Sequence, residues 1–159
     1  MAVIINEELF RQHSPVTGNT ALTEFLPYLS IAQELYIAPV LGDALLDELT
    51  ALIAANSLTA PNSALIVKIA PALSFYAVYQ GLPFHWASIV NKGVTIRDSE
   101  NSKSVDIRDI AQLRRWIKDD AEALLGQLID FLNKNRADYP LWRPQNNAGE
   151  RFDSGFYFR

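Results

Sequence analysis

Between Ser63 and Gln80 the chain has no polar side wide enough to keep a helix wet along its length. Leu65, Ile66, Ile69, Leu73, Tyr76 and Ala77 are spread around nearly the whole helical projection. A helix that is apolar all round must be enclosed by other elements, so this segment predicts a central, buried helix with the rest of the chain packed around it. Pro71 falls inside it. Proline lacks the amide donor and its ring crowds the carbonyl four residues back, which predicts a kink or a division there. Gly81 and Pro83 are expected to end the helix.

The flanking segments supply the enclosure. Asn6 is placed to cap a short helix from Glu7 to His13, which Ser14-Pro15 and Gly18-Asn19 then break. From Leu22 to Tyr36, Leu22, Phe25, Leu26, Leu29, Ala32 and Tyr36 recur at three- and four-residue intervals and share one face. Pro27 is tolerated in the first turn of that helix. Residues Ile37 to Gly42 interrupt the pattern, and a second amphipathic stretch from Asp43 to Ala55, with Leu45, Leu46, Leu49, Leu52 and Ile53, completes a helical hairpin.

Beyond the central helix, Ile89 to Arg97 favours extended backbone, and Asp98 to Ser102 is turn chemistry from which Lys103-Ser104-Val105 pairs back. Asp106, with Asp109 three residues on, caps a long helix reaching about Asn135, roughly 43 Å at 1.5 Å per residue. Its stripe is Ile110, Leu113, Ile117, Ala121, Leu124, Leu128, Phe131 and Leu132, and Arg114, Arg115, Lys118, Asp119, Asp120 and Glu122 form a solvated face. From Tyr139 onward Pro140, Pro144, Gly149 and Gly155 exclude another helix. Tyr139, Trp142, Phe152, Phe156, Tyr157 and Phe158 make this arm too apolar to stay solvated, because each ring gains on the order of 2 kcal/mol on burial. The arm must dock on its own domain or on a neighbour. The expected organisation is thus a mainly α helical bundle over residues 1–138, with a small β-hairpin or extended excursion near 89–105 and an extended arm over 139–159.

A chain of 159 residues is long enough to bury a core as one domain. It contains no cysteine, which removes thiolate nucleophiles, disulfides and the common structural zinc sites. The first six residues carry no basic segment followed by an apolar run, and no uninterrupted apolar run approaches the ~20 residues that span a bilayer; a protein made in the cytoplasm and without membrane contact is expected. Fourteen basic against 18 acidic side chains give a net charge of −4, which argues against stable binding to the nucleic-acid backbone.

Reactive constellations are sparse. The histidines are His13 and His85, neither in a nucleophile motif. Asp43, Asp47 and Glu48, or Asp119, Asp120 and Glu122, bring carboxylates together without a Glu-x-x-His ligand pair. Gly81, Gly93 and Gly126 stand apart, so no phosphate loop exists. No enzymatic activity, cofactor or metal is expected. The alternatives are a small-ligand-binding or enzymatic helical domain using Tyr76, Tyr79, His85 and Trp86, and a bacterial protein-interaction module.

The run Tyr36-Ile37-Ala38-Pro39-Val40-Leu41-Gly42 with Leu45 and Leu49 is followed by Pro71-Ala72-Leu73-Ser74-Phe75-Tyr76-Ala77 and Leu82-Pro83-Phe84. Asn91-Lys92-Gly93-Val94 and Ser99-Glu100-Asn101-Ser102 complete the pattern. Together these resemble an uncharacterised family of phage and prophage proteins, which in turn looks like the head-to-tail connector, or adaptor, proteins of tailed bacteriophages. The resemblance implies a subunit that forms a ring, docks the portal and tail-side connector proteins, and resides at the capsid–tail junction after assembly, with no catalytic residue. It places partner contacts in the loop, at Asn91, Lys92, Gly93, Val94, Glu100 and Asn101, and in the arm, at Trp142, Phe152, Phe156, Tyr157 and Phe158. The chain departs from such connectors in lacking a basic lining, so direct contact with DNA is not expected.

Overall fold

The computed structural model describes residues 2–16, 23–90, 93–96 and 106–144, with the backbone alone for 88–90 and 93–96. It is a mainly α bundle built around two long helices. In chain order the elements are α1 (Glu7–His13), α2 (Pro27–Ala32), a π-helical turn (Gln33–Ile37), α3 (Ala38–Leu41), α4 (Asp43–Ala54), α5 (Ala60–Trp86), β1 (Ala87–Val90), β2 (Gly93–Ile96), α6 (Ile107–Lys134) and a 3-10 turn (Arg136–Asp138).

Helix α5 is the core. Leu65, Ile69, Ala70, Ala72, Leu73 and Ala77 are fully enclosed, and although its apolar window is long enough to cross a membrane, 67% of it is buried inside the bundle. Thr59 caps its start by accepting from Asn62 N–H, with Pro61 in the first turn. Helix α6 lies antiparallel against it, since Arg114 meets Tyr79 near one end and Tyr139 meets Pro61 at the other. Ile117, Ala121, Leu125, Leu128 and Leu132 make the buried stripe of α6. Leu113 and Leu124 fall to one side of that stripe, so Leu124 is only partly covered and Leu113 is exposed.

Three expected boundaries differ from those found. Helix α5 does not stop at Gly81 but runs through Pro83 to Trp86. Pro83 has no amide to offer the carbonyl of Tyr79, and that carbonyl instead accepts from Arg114 Nε at 3.0 Å, so the backbone vacancy is filled from the neighbouring helix. Pro71 likewise leaves the helix undivided. The segment 37–42 does not interrupt the preceding helix either: the chain widens into the π turn, with Ala38 N–H donating to Gln33 O, and continues as α3 with Pro39 in its first turn. The longer i→i+5 spacing accommodates a proline whose ring would crowd the carbonyl of Leu35 in a regular helix.

Gln33, at the start of that turn, is fully buried. Its Oε1 accepts from Ile4 N–H at 2.9 Å and its Nε2 donates to Ala2 O at 3.0 Å, which ties the N-terminal segment to the bundle. Gly42 ends α3 with φ +78°, a left-handed conformation that favours glycine. A Cβ there would stand 1.9 Å from the carbonyl oxygen of Arg143.

β1 and β2 pair antiparallel, with Ala87 opposite Ile96 and Val90 opposite Gly93. This corrects the expectation of one extended segment from Ile89 to Arg97, since Ile89–Val90 and Gly93–Ile96 belong to two strands that pair with each other; the expected turn at 98–102 and returning segment 103–105 lie outside the described residues.

Replacing Gly42 by alanine should destabilise the fold by about 2 kcal/mol or more, through the unfavourable φ and the contact with Arg143, read as a lower urea midpoint. Ser74 Oγ is buried with no partner among the described residues, so Ser74→Ala should leave stability unchanged or raise it by up to about 1 kcal/mol.

Candidate interaction surface

The C-terminal arm begins by packing on its own domain. Tyr139 Oη donates to Pro61 O at 2.7 Å and Trp142 Nε1 to Val40 O at 2.8 Å, and both side chains are buried. Arg136 lies over the Trp142 ring, 5.4 Å from its centroid. This corrects the expectation that Trp142 is a partner contact: at 4% exposure its ring is committed to the core. Gly93 and Val94 sit in β2, their backbone opposite Val90 and Ile89. Asn91, Lys92, Glu100, Asn101, Phe152, Phe156, Tyr157 and Phe158 lie outside the described residues.

Among the described residues, Tyr76, Tyr79 and His85 turn to three different neighbours. Tyr76 stacks on Tyr36 of the π turn at 3.9 Å between centroids and 6° between planes, and Gln80 Nε2 donates to Tyr36 Oη at 2.6 Å. Burial pushes both phenols above their ordinary range, Tyr76 further than Tyr36, so neither loses its proton near neutral pH. Tyr79 faces α6, its ring 4.0 Å beneath the Arg114 guanidinium. His85 turns elsewhere. Its Nδ1 is 2.6 Å from Glu24 Oε2 and its ring 5.2 Å from that of Phe25. Glu24, Tyr28, Gly81, Phe84 and His85 line a shallow depression here, whose floor needs glycine because a Cβ on Gly81 would stand 2.5 Å from Phe25 and 2.7 Å from Tyr28. Among the described residues no group of three acidic or histidine side chains is arranged to hold a metal.

The surface that stands out is at the beginning of α6. Ile107, Leu113 and Trp116 are 62%, 41% and 59% exposed. Leu113 and Trp116, three residues apart, are neighbours on one side of α6, whereas Ile107, nine residues from Trp116, is turned to the opposite side and Ile110 is partly buried between. Singly exposed apolar residues are ordinary on a protein surface, but an exposed tryptophan beside an exposed leucine is a candidate contact. Asp109, Asp119 and Asp120 are exposed beside it. Trp116 was not among the residues singled out from sequence. Its signal was there to read, because it continues the three-residue spacing of Ile110 and Leu113 while leaving the buried stripe.

The antiparallel packing of α5 and α6 gives the molecule two unlike ends. At one, α5 passes into the β1–β2 hairpin and the first turns of α6 expose Ile107, Leu113 and Trp116. About 40 Å away, at 1.5 Å per residue for a helix of this length, the chain leaves α6 through the buried Tyr139 and Trp142.

Replacing Arg114 by glutamine should cost about 1–3 kcal/mol, because it strands the Tyr79 carbonyl and removes the cation from the ring; the thermal midpoint is the readout. A tyrosine held protonated by burial contributes stability that is complete below the ordinary tyrosine value and is lost as pH climbs toward the raised folded value. Stability should therefore decline above about pH 10, and Tyr76→Phe should flatten that decline in a series of urea melts.

No curated protein and no solved structure matches the chain. A family model does match, over residues 37–151, from the π turn through α6 and into the arm, and the chain belongs to that family of unknown function, DUF6712.

Proposed function

We propose that the chain is a head-to-tail connector (adaptor) subunit of a tailed phage or prophage, a structural virion protein that oligomerises as a ring and docks the portal on one side and tail-side proteins on the other. It is made in the cytoplasm and carried to the capsid–tail junction. It catalyses no reaction, needs no cofactor and forms no stable complex with nucleic acid. The observation that carries this reading is the separation of two unlike ends by the long α5–α6 pair: the hairpin and the exposed Leu113 and Trp116 at one end, the exit of the C-terminal arm at the other. A subunit that must bridge two different partners needs distinct contact elements at its two ends, and a head-to-tail contact that closes on itself gives a ring. The likeness of the Pro39-Val40-Leu41-Gly42 and Asn91-Lys92-Gly93-Val94 segments to phage and prophage proteins supports the same reading.

The arm has to be tested without touching its buried root. Deleting residues 145–159 keeps Tyr139 and Trp142 in place, whereas a cut at 138 would remove two core rings. The truncated chain should keep its helical circular dichroism and lose ring formation and co-elution with the portal of the same phage. Undiminished assembly would sink the proposal, as would electron microscopy of labelled particles showing the subunit away from the portal vertex.

A further inference from the structure

Arg114 does more than fill the backbone vacancy at Pro83. Its Nε donates to Tyr79 O at 3.0 Å and its guanidinium carbon stands 4.0 Å over the Tyr79 ring, so the plane of the group is fixed from two directions while the side chain stays partly exposed. Only the Nε donor is spent. Among the described residues the two Nη groups have no hydrogen-bond or ion-pair partner. Lys118 follows one turn along α6 on the same side, its Nζ 3.3 Å from Glu122 Oε1 with both side chains about half exposed, and the Glu122 carboxylate holds that ammonium above its ordinary range. The charges of Arg114 and Lys118 both bear on the Tyr36 phenol of the π turn. Tyr36 lies on Tyr76, and its Oη accepts from Gln80 Nε2, so it keeps its own proton to donate.

We infer that Arg114 and Lys118, with the Tyr36 phenol beside them, form a binding site for a carboxylate. A guanidinium held flat presents two parallel N–H groups at the spacing of the two carboxylate oxygens. A free surface arginine gives up side-chain freedom when it takes such a ligand. Arg114 has already given it up to Tyr79, so the ordering cost of binding is smaller. Charge decides between oxyanions: Arg114 and Lys118 against Glu122 leave a single net positive charge, which a carboxylate balances, whereas a phosphate dianion brings a second negative charge up against Glu122. The fork reads only the two oxygens, so the ligand is either an acidic side chain or the carboxylate at the end of a chain. The virion reading uses neither Arg114 nor Lys118, and this inference stands apart from it.

The Arg114 Nε–H, held by the Tyr79 carbonyl, gives its own nitrogen–proton NMR signal in the full chain. At constant ionic strength, N-acetylglycine, a chain-end carboxylate, and N-acetylaspartamide, an acidic side chain, should shift that signal saturably, and the tighter of the two identifies the source. Sodium chloride should not. Because Arg114→Gln weakens the fold, the charge is varied at the exposed positions instead. Lys118→Gln should weaken binding about threefold and Glu122→Gln should strengthen it by a similar factor, the effect of one exposed charge, with the circular dichroism unchanged. A signal that never saturates, an equal shift from chloride, or affinities indifferent to both substitutions would overturn the inference. So would tighter binding of inorganic phosphate, which would make this a site for a dianion. None of these readouts involves the portal, so the outcome is separate from that of the assembly test.

Discussion

The whole arrangement follows from a helix too apolar to leave most of its surface in water. Helix α5 buries leucine, isoleucine, alanine and tyrosine around its circumference, and each large side chain among them gains about 1.5–3 kcal/mol by leaving water. That gain is realised only if neighbours cover most sides at once, leaving a side with Ala64 and Val67 to solvent. α6 covers one, α2 and the π turn another, and α1 with the N-terminal strand of chain a third. The elements around α5 are short or half-polar, and their own stability comes from the side they turn to it.

Enclosing a helix that also contains prolines creates a second demand. Each internal proline leaves a carbonyl without its usual donor, and inside a bundle water is not at hand to replace it. At Pro83 the answer is a guanidinium from α6, which bonds the Tyr79 carbonyl and rests on the Tyr79 ring. At Pro39, outside α5, the helical repeat itself changes, and the π turn brings Tyr36 over Tyr76 and Gln33 into the core. Features that look like irregularities along the sequence are therefore where separate elements are fastened together.

This explains which parts of the structure were legible beforehand. Local chemistry was: Asn6 and Asp106 cap the helices that follow them, and the amphipathic pattern located α4 and the long α6. The boundaries at Pro83 and at Ile37–Gly42 were not, because a proline ends a helix only when nothing distant supplies the missing bond, and Arg114 is 35 residues away from its acceptor. The arm was legible as apolar but not as divided. That Tyr139 and Trp142 turn inward depends on the carbonyls of Pro61 and Val40, which no local pattern exposes. For the contact surface, the exposed Trp116 required knowing which side of α6 the bundle leaves open.

The bond from Trp142 to Val40 joins residues 102 positions apart, and that spacing bears on how the protein comes into being. Contacts so distant along the chain close late, after nearer ones have formed. During synthesis the α3–α4 corner must wait, its groove beside Gly42 open, until the indole has left the ribosome. Completion of the core thus doubles as a length check: a nascent chain halted before this tryptophan retains an unfilled slot, and only one that has passed it can seal the bundle.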